Sequence, residues 1–304
     1  MAVTALMVKE LRERTGAGMM DCKKVLEETD GDMDRAIEVL REKGLAKAAK
    51  KAGRVASEGL VRLAFSPDGK ASAMVEVNSE TDFVAKNQDF VDFVEHLSVM
   101  SLEAADTNVE IFLGLAYKNE GTVQEVLSNK IATIGENLSV RRIHKGNTPG
   151  VVYVGYTHGN GKIGVIIGLK TEASAEEVAV VGKDVAMQVA SMNPKFIDET
   201  SVDPEYLESE KKILIQQALN EGKSADIVEK MVVGRLKKEL KETCLVEQKF
   251  VKNGDMSVKE YVESVGKQIG KSIEVAEMIR FEVGEGIEKK EENFAEEVAK
   301  QMNA

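Results

Sequence analysis

The hydrophobic period of this chain changes at Gly59, and the same change recurs about ninety residues later. Residues 59–65 and 71–78 alternate as strands do, and Ser66-Pro67-Asp68-Gly69 between them has turn chemistry. A helical stretch is expected from about 81 to 100, more helix from about 109 to 134, and a short strand at 138–143. The plan then repeats. Residues 151–157 and 162–169 read as a hairpin around His158-Gly159-Asn160-Gly161, followed by a helix at about 175–191. A chain that twice builds a hairpin and follows it with an amphipathic helix is confined to an α+β fold. Two related halves, at about 56–145 and 146–280, would each form an antiparallel sheet backed by helices.

Other segments flank or interrupt these halves. The first 45 residues pattern as three short helices, with Thr4 and Asp32 placed as N-caps and breaks at Gly16-Ala17-Gly18 and Asp30-Gly31. The third helix is expected to stop at Gly44, leaving residues 46–56 as a basic Ala/Lys connector and 1–55 as one module. That connector reads either as a solvated linker or as a patch for an acidic partner. Residues 205–242 pattern as two helices broken at Asn220-Glu221-Gly222, a helical hairpin inserted at about 197–243 in the second half. Strands are expected at 245–251 and 278–283 with a helix at 258–269 between them, and a final helical module occupies 281–304.

Composition removes several functions. Lys and Arg number 41 against 52 Asp and Glu, a formal charge of −11, which opposes direct binding of nucleic acid. With no Trp and few Tyr, a base-stacking platform is not expected. Cys22 and Cys244 form no CxxC, and His96, His144 and His158 lack ligand spacing, so no metal or cofactor is expected. No phosphate loop, nucleophile elbow or zinc-hydrolase motif is present, so the chain reads as a binder and not an enzyme. No apolar run is long enough for a membrane span, and the opening residues lack a signal-peptide pattern. The expected location is the cytoplasm.

Two short segments remain as candidate sites. In the first, residues 78–87, a strand hands over to a helix through Thr81, Asp82, Phe83 and Val84. One reading is helix capping, with Phe83 entering the core; the other is a loop presenting side chains from a rigid base. The second is Gly18-Met19-Met20-Asp21-Cys22-Lys23, where adjacent methionines at a helix start cannot both easily face a thin core.

Both segments lie in stretches that resemble the bacterial elongation factor Ts family. Val8 through Lys24 resembles that family's opening signature, and Glu76-Val77-Asn78 with Thr81-Asp82-Phe83-Val84-Ala85-Lys86 its second. Gly135-Glu136-Asn137, Arg141-Arg142, His158-Gly159 and the stretch from Arg280 to Gly286 agree in order along nearly the whole chain. The resemblance implies a ubiquitin-associated-like N-terminal bundle, a two-part core, a helical arm and a C-terminal helix. It implies a nucleotide-exchange factor that binds elongation factor Tu carrying GDP, disturbs its magnesium and phosphate site, and departs when GTP binds. By the same resemblance, Thr81, Asp82, Phe83 and Val84 would form the intruding element and His158 would assist Phe83. Met19, Met20, Asp21, Cys22 and Lys23 would dock the bundle. The arm would reach other parts of the partner or form a homodimer. A scaffold with no effect on nucleotide is the main rival reading.

Overall fold

A computed structural model of the chain describes residues 3–222 and 225–288. The fold is α+β with antiparallel pairing, and the described residues fall into two compact units. One runs to Arg62, then takes in Val75–His144 and residues 282–288; the other is Leu63–Met74 with the described residues of Lys145–Phe281.

The first unit opens with α1 (Ala5–Thr15), α2 (Met19–Glu28) and α3 (Met33–Lys51). The Thr4 side chain accepts from the Met7 N–H and that of Asp32 from Arg35, so both caps sit as the sequence predicts. Val8, Leu11, Cys22, Val25, Leu26 and Ala36 make the bundle core. Helix α3, however, continues through Gly44 instead of ending there. A Cβ at Gly44 would lie 3.1 Å from Asn129 Oδ1 and 3.8 Å from Ala132 Cβ, so the glycine serves close helix contact and not termination. Much of the predicted connector is therefore packed helix, with Ala48 in the core.

Strands β1 (Glu58–Phe65) and β2 (Ser72–Ser79) flank the predicted turn, and β3 (Ser139–Gly146) completes a sheet of order β1-β2-β3. Between β2 and β3 the helical stretches are more broken than periodicity implies. The first divides into α4 (Asp82–Ala85) and α5 (Gln88–Glu103), because the Asn87 side chain caps α5 by accepting from the Asp89 N–H. The second divides into α6 (Val109–Leu113) and α7 (Val123–Ile134). The Thr122–Glu125 capping box starts α7 afresh after a bridge between Ala116 and Thr122. Phe90, Phe93, Leu97, Phe112 and Ile131 fill the core beside β2 residues Val75 and Val77.

In the second unit β4 (Val151–His158) pairs antiparallel with β5 (Ile163–Thr171), from Val151 opposite Lys170 to His158 opposite Ile163. Helix α8 (Ala175–Met192) covers the pair, burying Val178, Val181, Val185 and Val189 against Val165, Ile167 and Leu169. The helical hairpin is α9 (Pro204–Asn220) and α10 (Ala225–Thr243), with a small core of its own at Ala218, Val228 and Val232. The strand expected at 245–251 is mostly absent. Residues Leu245–Glu247 form a 3-10 turn, and the Leu245 and Val246 N–H groups bond to the carbonyls of Phe196 and Ile197. Only β6 (Lys249–Phe250) pairs, with β7 (Asn253–Ser257); α11 (Val258–Ile269) follows, and β8 (Ile273–Glu282) joins β5 in the order β4-β5-β8. A short buried apolar run looks alike in a strand and a turn, which is how the periodicity misleads here. The expected C-terminal helix falls largely outside the described residues. No described helix is long and apolar enough to cross a membrane.

Candidate functional site

The end of β2 is wholly buried, and the chain emerges from it through Glu80 and Thr81 into the single turn of α4. Val84 and Ala85 are buried and root that turn in the core. Phe83 points the other way and is 80% exposed, the most exposed of the large apolar side chains described. An aromatic ring left in water on a rooted turn is unfavourable unless something else covers it. Asp82 pairs with Lys86 one turn on at 2.5 Å. The capping reading does not hold for Thr81: its backbone occupies the N-cap position, but its side chain makes no cap bond. Its hydroxyl donates instead to Glu136 Oε1 at 2.6 Å. Of the four residues expected to intrude on a partner, Asp82 and Phe83 are thus presented, Thr81 is tied down and Val84 is an anchor.

The elbow is held by carboxylates from both sides. Glu136, in the loop between α7 and β3, accepts with Oε2 from the Glu80 and Thr81 N–H groups at 3.1 and 3.0 Å. Glu80 reaches back, accepting from the Asn137 N–H at 2.5 Å and pairing with Arg54 at 2.5 Å. Asn137 in turn donates to the Arg54 carbonyl at 2.7 Å. Lys51 donates to the Gly135 carbonyl and Lys47 pairs with Asp21 at 2.8 Å. Three cations of the basic connector are therefore engaged within this unit, which weakens its reading as a patch for an acidic partner.

Three residues before the end of β2 lies a second anchor. Glu76 is fully buried, yet accepts from Arg141 (3.0 Å), Arg142 (2.5 Å), the Asn78 side-chain amide (3.0 Å) and the Gly284 N–H (2.9 Å). Burial would raise its pKa, but these donors outweigh it and hold the carboxyl below its ordinary range. Gly284 takes φ +72°, and a Cβ there would lie 2.1 Å from the Ser57 carbonyl oxygen, so no other residue fits. The three motifs around Glu76, Arg141-Arg142 and Gly284 are thus one hydrogen-bonded cluster.

On the bundle, Met19 and Met20 are 55% and 73% exposed at the start of α2, with Leu6 of α1 also exposed. Asp21 and Lys23 are exposed too, Lys23 beside Glu27 at 3.8 Å. Cys22, grouped with them by resemblance, is fully buried; burial pushes its thiol pKa up, and it supports α2 from within. His158 ends β4 in the second unit as an exposed ring, with Nδ1 3.0 Å from the Tyr156 hydroxyl. Among the described residues no cluster of His, Cys, Asp and Glu is placed to hold a metal ion. No motif or spacing in the sequence singles out Glu80, Glu136 or Asn137 as a brace, or Arg54 as their partner. Glu136 and Asn137 lie beside Gly135 in a loop, and their partners are too distant in sequence for spacing to reveal.

Comparison with known proteins bears on the whole chain. A family model described as Elongation factor TS matches residues 80–285. Elongation factor Ts of Clostridioides difficile (strain 630) is 59% identical over 300 residues, covering 99% of each chain. Elongation factor Ts of Clostridium novyi (strain NT) is 54% identical over 303 residues, again covering 99% of each. Elongation factor Ts of Clostridium perfringens (strain 13 / Type A) is 55% identical over 298 residues and 98% of each.

Proposed function

The chain belongs to the elongation factor Ts family, and we propose that it binds elongation factor Tu carrying GDP, loosens the magnesium and phosphate contacts of the nucleotide, and so promotes GDP release and GTP loading. The observation that carries this reading is Phe83, an exposed aromatic ring on a braced turn. GDP is held largely through its phosphates and a bridging Mg²⁺. A ring that wedges into the partner, with the Asp82 carboxylate beside it, displaces groups that hold the metal, and the chain itself makes and breaks no covalent bond. Exchange is then a coupling between two ligands of one GTPase, and it is reciprocal: nucleotide expels the factor as strongly as the factor expels nucleotide. A thousandfold loosening requires about 4 kcal/mol. One buried aromatic anchor with a few polar contacts is enough for that.

We assign docking to the bundle surface around Met19 and Met20, and a second contact to His158. The arm's exposed Ile213, Leu219 and Val233 offer a further apolar surface, for the same partner or for another copy of the chain. Met19→Glu/Met20→Glu should weaken the complex with elongation factor Tu about tenfold, since flexible apolar contacts are replaced by charge. Because both side chains are exposed, the thermal midpoint should not move. Calorimetric titration checks this, and unchanged affinity removes the docking role.

The experiment for the metal step is release of a fluorescent GDP analogue from elongation factor Tu across a Mg²⁺ titration. High Mg²⁺ favours the tight nucleotide state and should slow the wild-type factor. Asp82→Ala and Asp82→Asn should both release more slowly at low Mg²⁺ and show a flatter metal response, because the negative charge is what competes. Three superimposable curves would remove the carboxylate from the mechanism.

A further inference from the structure

We propose that Glu136 is a positioning residue for exchange: by clamping the Glu80-Thr81 elbow it fixes the direction in which Phe83 is presented. The proposal rests on the reading of Phe83 as the wedge, and extends it to a residue 53 positions away that never meets the partner in that reading.

The geometry is specific. One carboxylate satisfies three donors of the elbow: the Glu80 N–H at 3.1 Å and the Thr81 N–H at 3.0 Å on Oε2, and the Thr81 hydroxyl at 2.6 Å on Oε1. These are the last hydrogen-bond donors before α4. Helix α4 is one turn long and cannot hold its own direction, since a single turn fixes several dihedrals for very few bonds. Val84 and Ala85 root it on one side only. Three bonds from one side chain, all at the elbow, supply the missing constraint. Glu80 reciprocates on Asn137 and Arg54, so the loop that carries Glu136 is itself fixed. A wedge gains from this because a ring already held in its binding direction loses less freedom on insertion.

The reach of Glu136 matters more than its charge. In Glu136→Gln the amide oxygen can take both N–H bonds while the NH2 group donates to Thr81 Oγ1. In Glu136→Asp the charge stays but the carboxylate retreats by about 1.5 Å, one C–C bond, and cannot serve all three donors.

The test is the plateau rate of fluorescent GDP release from elongation factor Tu, with the affinity of the complex measured separately. Glu136→Ala should lower the plateau about tenfold while affinity changes less than threefold. Glu136→Gln should return to within twofold of wild type, and Glu136→Asp should be as slow as Glu136→Ala. The double variant Phe83→Ala/Glu136→Ala should be no slower than Phe83→Ala, because Glu136 acts only through the ring. If Glu136→Ala does not fold, the Asp and Gln variants decide: Asp slow with Gln fast supports the proposal, and any other order overturns it. A folded Glu136→Ala at the wild-type rate, or additive losses in the double variant, also overturns it while leaving the wedge intact. Phe83→Ala at the wild-type rate overturns both.

Discussion

Phe83→Ala should fold with an unchanged melting profile and slow GDP release from elongation factor Tu about a hundredfold. The first half follows from exposure: the ring contributes little to the core, and Val84 and Ala85, which do pack there, are untouched. Surface substitutions of this kind stay within about 0.5 kcal/mol of wild type. The second half follows from the ring's place at the tip of the braced elbow. A hundredfold is about 2.7 kcal/mol, within the range of a buried aromatic anchor at an interface. Circular dichroism and stopped-flow fluorescence read the two halves separately. A variant that unfolds would mean that Phe83 is a core residue in solution, and a folded variant at full rate would end its role as a wedge.

Glu76→Ala should destabilise the first unit by about 2–3 kcal/mol at neutral pH. Removing the carboxylate leaves Arg141, Arg142, the Asn78 amide and the Gly284 N–H without it at a buried site. Breaking a buried charge cluster from one side costs about 3–5 kcal/mol; the arginines are 27% and 30% exposed, so partial rehydration lowers that figure. The loss also has a pH signature. The folded-state pKa of Glu76 lies below the ordinary 4.5, so its contribution is complete above that value and disappears as pH falls through the lower, folded value. The gap between wild type and Glu76→Ala in urea unfolding should therefore be full at pH 7 and shrink in acid. A gap that stays constant with pH would show that the carboxylate is not held as an anion.

Local chemistry was readable from the sequence, and tertiary pairing was not. The caps at Thr4 and Asp32, the turn at Ser66 to Gly69 and the hairpin turn after His158 each announce themselves within a few residues. The capping box at Thr122 and Glu125 carries the same kind of signal, and reading it would have placed the start of α7 and divided the predicted helix at 109–134. Gly44 misleads because a glycine packed against Asn129 looks, in one dimension, like a helix stop. The exposure of Phe83 could not be read either, since an aromatic one position after a cap-like Asp is equally suited to a core. What separates those outcomes is the bonding of Thr81 to Glu136, residues 55 apart in sequence, which no periodicity encodes. The family resemblance implies a role for the segment; the physical reason it can hold an exposed ring comes from the carboxylates around it.

The central claim, that binding accelerates nucleotide loss, is tested most directly by titrating the chain against elongation factor Tu preloaded with fluorescent GDP. The release rate should rise with factor concentration to a plateau far above the spontaneous rate, with excess GTP driving the factor off the product complex. A stable complex that forms without any acceleration of release would contradict the account and leave the chain as a scaffold.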